Sequence, residues 1–139
     1  MKTEERGLNI GRLAREVGVS TDTIRFYERR GLLAPPARSE ANYRLYPPGD
    51  IRRLKFILRA KALGFTLNEI KELLNLHHNP TATKAEVKAL TEEKIADIRQ
   101  RIIDLGRILA TLENLADTCD GHGPADDCPI LAAIDGDEA

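Results

Sequence analysis

A seven-residue rhythm in the second half of this chain restricts its fold more than any other feature. Ile95, Ile98, Ile102, Leu105, Leu109, Leu112 and Ala116 alternate at steps of three and four. On a helix this spacing draws a narrow apolar seam, which needs a partner helix along its length. A long helix over residues 83–117 is expected, with Ile95, Ile98, Ile102, Leu105, Leu109 and Leu112 as its interface. No other segment supplies an apolar helix of matching length, so the simplest partner is the same helix in a second copy, parallel or antiparallel. Packing of the helix back onto its own chain is the alternative.

A chain of 139 residues can surround one modest core, or form a small head joined to an extended element. Charged residues reach 31% while aromatics stay at 4% and tryptophan is absent, which suits a helix-rich protein better than a β-sandwich. There is no apolar run of about 18 residues and no charged-then-apolar leader, so neither a membrane partner nor a signal peptide is expected, and the cytoplasm is the expected compartment. The net charge of −1 hides an asymmetry. Residues 8–61 carry 12 Lys/Arg against 5 Asp/Glu, whereas residues 62–139 carry 7 against 15. A basic front half points to a polyanion partner for that half alone, with a merely solvated charged surface as the alternative.

The front half reads as short helices with clear ends. In "NIGRLAREVG", Ile10, Leu13, Ala14 and Val17 share a face, Asn9 can cap the start and Gly18 the end. In "VSTDTIRFYERRGLL", Ser20 is the cap and Gly31 closes the helix. Two such helices a few residues apart, the second opening on exposed Thr, Asp and Arg, describe a helix-turn-helix. "RSEANYRLYPP" holds two extended pieces around a turn at Glu40-Ala41-Asn42, a hairpin in the position of a wing. Pro47 and Pro48 are expected in the first turn of the next helix, stopped by Gly64, and Thr66 with Glu69 marks a capping box for the one after it. The head is expected to end near His77.

Both cysteines fall in one loop, "TCDGHGPADDCPIL". Gly, Pro and Asp make it a poor place to bury an inert thiol. A disulfide is disfavoured in a reducing cytoplasm, and a soft-metal site of converging thiolates is the third reading. No nucleophile–base pair, phosphate-cradling loop or carboxylate pair is recognisable, so no enzyme is expected.

"IGRLAREVGVSTDTIRFYERRGLL", "RSEANYRLY", "DIRRLKFILRAKALGFTLNEIKELL" and the heptad helix together resemble the MerR family of transcription regulators, and "TIRFYE" and "NYRLY" are the most specific pieces. The resemblance covers about Asn9 to Ile134, and the cysteine loop is similar to the metal-sensing branch. It implies a mostly α fold. A winged helix-turn-helix head with a second helix pair (8–77) leads into an antiparallel dimerisation helix (83–117), a metal-binding loop and short helix (118–134) and a disordered tail (135–139). It further implies a homodimer that sits on double-stranded promoter DNA, distorts the spacer when metal binds, and so acts on RNA polymerase indirectly.

For DNA contact, Thr21, Thr23 and Arg25 lie in the first turns of the second helix, where side chains reach base edges. Arg25 and Tyr27 match family positions that touch DNA, Tyr27 on a phosphate, and Arg38, Tyr43 and Arg44 match the wing's backbone contacts. Arg59 and Lys61 could reach flanking phosphates. For the metal, the implied ligands are Cys119 and Cys128. A thiolate pair suits copper(I) or another soft monovalent ion, whereas zinc(II) wants about four donors. Divalent-sensing relatives add a cysteine at the fourth position after a proline; here Pro80 leads to Lys84, and Lys88 matches a lysine of the copper branch. Two departures favour a zinc, cadmium or lead sensor instead. The loop is one residue longer than in the copper branch, and His122 is a candidate nitrogen ligand, with His77 and His78 as further donors from a second copy. A thiol–disulfide switch on DNA is the third alternative.

Overall fold

The computed structural model describes residues 7–38 and 44–136. The chain divides into two units, Met1–Thr91 and Glu92–Ala139. In the first, helix α1 (Ile10–Val17) and helix α2 (Thr21–Arg29) are joined by a very short turn. Gly18 makes this turn possible. It adopts φ 83°, in the left-handed region, while its N–H bonds the Ala14 carbonyl at 2.8 Å. Asn9 caps α1 by accepting from the Arg12 amide at 2.8 Å, and Ser20 caps α2 by accepting from Thr23 at 3.1 Å.

Strands β1 (Ala37–Arg38) and β2 (Arg44–Leu45) pair antiparallel, with Ala37 opposite Leu45 and Arg38 opposite Arg44. Leu8 extends this wing by exchanging two 2.7 Å backbone bonds with Tyr46. The expected turn at residues 40–42 lies outside the described residues, as does Tyr43.

Helix α3 (Gly49–Ala62) starts one step later than its prolines suggest. Pro47 and Pro48 precede the helix instead of filling its first turn. Their carbonyls accept the Asp50 and Ile51 amides at 3.0 and 3.1 Å, a role that needs no N–H from either proline. Helix α4 (Leu67–His77) begins with the expected capping box, Glu69 accepting from the Thr66 amide at 2.8 Å and Thr66 from the Glu69 amide at 3.2 Å. α1 packs against α2 and α3, and α3 against α4. Leu13, Ile24, Leu32, Leu54, Ile57, Ile70 and Leu74 fill the space between them, together with Tyr27 and Tyr46. Burying each such side chain contributes about 1.5–3 kcal/mol.

Helix α5 spans Lys84–Asp117, opened by a reciprocal Thr83–Glu86 cap. Its seam is bare: Ile95, Ile98, Ile102, Leu105, Leu109 and Leu112 are each 37–64% exposed. After it come a 3₁₀ turn (Ala125–Asp127) and helix α6 (Pro129–Asp135). Asp135 and Gly136 were expected in a disordered tail but are the last residue of α6 and its left-handed cap, because glycine at φ 81° lets its N–H turn back onto the Ala132 and Ala133 carbonyls. Residues 137–139 lie outside the described residues.

Candidate DNA-binding face and metal loop

The N-terminal turns of α2 present their polar side chains in a fixed arrangement. Ser20 Oγ and Thr23 Oγ1 share a 2.9 Å hydrogen bond, so the Thr23 hydroxyl belongs to the cap as well as to the surface. Arg25 lies exposed along the helix, with Nη1 donating to Asp22 at 3.2 Å and to Thr21 at 3.5 Å. These local bonds are weak and exposed, leaving the guanidinium free to exchange them for an acceptor on DNA.

Tyr27 does not lie where a phosphate contact needs it. It is 1% exposed and belongs to the core, because it follows Ile24 by three residues on the buried face of α2. Its place in the head is packing. The exposed aromatic of α2 is Phe26, whose ring lies 5.7 Å from the Arg30 guanidinium; sequence reading did not single it out.

On the wing, Arg38 and Arg44 face each other across the ladder, both exposed. Arg44 Nη2 donates to Glu28 at 2.7 Å, and the Tyr46 hydroxyl donates to the other oxygen of the same carboxylate. Neither Glu28 nor Tyr46 was foreseen. Burial, and then the Glu28 hydrogen bond, push the Tyr46 hydroxyl up to about 12. Asp50 stands nearby in the first turn of α3, raised above its usual 3.8 chiefly by burial. Arg53 extends the cluster, its Nε donating to the Leu32 carbonyl at 2.7 Å. Arg59 and Lys61 are exposed in the last turn of α3.

The loop after α5 brings both thiols together. Cys119 and Cys128 are free and partly exposed. The Gly121 amide donates to Cys119 Sγ at 3.4 Å. The backbone N–H groups of Leu131 and Ile130 face the Cys128 sulfur and lower its pKa, and the adjacent Cys119 thiol lowers it further; partial burial and Asp127 act the other way. His122 lines the same cavity as both cysteines. It is exposed, with its amide on Asp120 at 2.9 Å and Nδ1 3.8 Å from the same carboxylate. Among the described residues no group of three or more His, Cys, Asp or Glu side chains is placed to hold a metal. The donor set within one chain is thus two neighbouring soft sulfurs, which fits a two-coordinate monovalent ion. Lys84, Lys88, His77 and His78 are exposed.

Comparison with known proteins agrees with these features. The family model "MerR HTH family regulatory protein" matches residues 8–76, and "MerR, DNA binding" matches residues 51–115. The chain is 42% identical to the HTH-type transcriptional regulator CueR of Yersinia pestis, covering 93% of this chain and 92% of that one. It is 37% identical to the mercuric resistance operon regulatory protein of Pseudomonas fluorescens, over 98% of this chain and 93% of that one. Among solved structures, the regulator PbrR691 from Ralstonia metallidurans CH34 in complex with lead(II) is 39% identical with a TM-score of 0.80, covering 91% and 98% of the two chains. Among the described residues no helix is long and apolar enough to cross a membrane.

Proposed function

The chain belongs to the MerR family of DNA-binding transcription regulators, and we propose that it is a metal-responsive member that senses copper(I) or silver(I) through Cys119 and Cys128. The observation that carries this reading is the thiol pair itself, two adjacent sulfurs with no third donor grouped with them among the described residues. Soft thiolates select soft ions, and two of them satisfy a monovalent one. Residues 8–77 form the DNA-binding head, with Thr21, Thr23, Arg25, Arg38, Arg44, Arg59 and Lys61 as its contacts. Residues 83–117 form an antiparallel homodimer seam, and residues 118–134 the sensor. Metal binding orders the loop around α6, and the dimer then favours a bent, untwisted promoter spacer. That change reaches RNA polymerase through the DNA, and the regulated promoter serves efflux of the metal.

A divalent sensor is the second reading, supported by the relatives whose names carry mercury or lead and by the eight residues between the cysteines. It needs donors from the second copy, since zinc takes about four. In vitro transcription from the operator promoter tests the choice. Copper(I) is expected to activate the wild type, while Cys119→Ser and Cys128→Ser bind operator normally and stay silent. Activation by zinc but not copper(I), lost in His122→Ala, would favour the divalent sensor. Activation by an oxidant without metal would favour a disulfide switch.

A further inference from the structure

Glu28 sits where α2 meets the wing. It projects from the last turn of α2, its side chain only 10% exposed, and its carboxylate holds Arg44 of the wing at 2.7 Å and the hydroxyl of fully buried Tyr46. Tyr46 is in turn fixed by its two backbone bonds to Leu8. One carboxylate therefore ties the DNA-reading helix to the wing. Arg44 is 41% exposed along its side chain and donates Nη2 to Glu28, one of the five N–H donors of its planar fork. Arg38 stands directly opposite on the ladder.

We propose that Glu28 is a positioning residue for DNA binding: it aims the Arg44 guanidinium at a phosphate and sets the wing at a fixed angle to α2. This rests on the reading of Arg44 as a phosphate contact. A long arginine side chain loses rotamer freedom when it meets a phosphate, and an anchor already holding one edge of its fork reduces that loss. The sign of the effect separates this role from simple electrostatics. Removing a negative charge beside DNA should by itself strengthen binding and steepen its salt dependence. Removing an anchor should do the reverse.

The test is operator affinity over a salt series for wild type, Glu28→Gln, Arg44→Ala and the double variant, with thermal unfolding to confirm the fold. Glu28→Gln is expected to weaken binding about tenfold and to flatten the salt slope, towards the loss of about one unit expected for a missing phosphate contact. The double variant should bind no worse than Arg44→Ala alone, because both changes break one interaction. Tighter binding by Glu28→Gln, or fully additive losses, would overturn the positioning role while leaving Arg44 as a contact. If Arg44→Ala leaves affinity and slope unchanged, the phosphate reading itself fails and the positioning role with it. Should Glu28→Gln not fold, Tyr46→Phe frees the second carboxylate oxygen, and the same comparison with Arg44→Ala decides.

Discussion

Asp50 and Tyr46 are ionisable groups that the fold keeps out of water, and each gives the head a pH signature. Burial raises the Asp50 pKa above 3.8, Arg53 opposing and Glu28 reinforcing the shift. The folded protein then binds this proton more tightly than the unfolded chain, so stability falls as pH rises from 3.8 through the raised value and levels off above it. Asp50→Asn removes that titration, and denaturant unfolding across the acid range should show a flatter dependence; an unchanged slope would mean the carboxyl is not desolvated. For Tyr46, raised to about 12, the stability it contributes is whole below 10.0 and is lost as pH climbs through the folded value. Ultraviolet titration should show a late-ionising tyrosine that Tyr46→Phe abolishes. At this scale the sequence was only partly legible. Ile24 and Tyr27, three residues apart, share the buried face of α2, whereas family resemblance pointed Tyr27 at DNA. The Glu28–Arg44 pair joins positions 16 residues apart, and no local pattern announces such a contact.

The elements were far easier to read, because their ends are local chemistry. Asn9, Ser20 and the Thr66–Glu69 box each cap the helix they were expected to cap, and Gly18 takes the left-handed turn that lets α1 and α2 sit so close. Pro47 and Pro48 lie one or two residues before the helix they were expected to open, since a proline suits both the first turn and the residue before it, and only the backbone bonds decide. The heptad rhythm gave α5 its extent and its seam, but a seam names no partner. A 34-residue helix whose apolar residues are half exposed is the proposed seat of a second copy. Leu105 is 63% exposed in the single chain, so a charge there costs the fold of one protomer little and the dimer a great deal. Leu105→Asp is expected to sediment as a folded monomer that fails to hold operator DNA. A persistent dimer would move the interface elsewhere.

At the scale of the whole molecule, the proposed function assigns DNA binding and sensing to different parts of the sequence. The basic surplus lies in residues 8–61 and the thiol pair lies beyond residue 117, with the long helix between them. The cysteine loop shows why the ion was the least legible feature of the chain. Loop length, a histidine in the loop and the missing cysteine at Lys84 point to different metals, and the copper(I) proposal rests on the thiol pair. The thiols are neighbours, and His122 turns to Asp120 instead. The most direct test of this account is equilibrium competition for copper(I) and zinc(II) under reductant, using the full-length dimer and a chromophoric chelator for each ion. One tightly held copper(I) per protomer is expected, lost in Cys119→Ser and in Cys128→Ser, unchanged in His122→Ala, and not displaced by zinc. Tight zinc binding that weakens in His122→Ala, or copper(I) binding that survives loss of either cysteine, would contradict it.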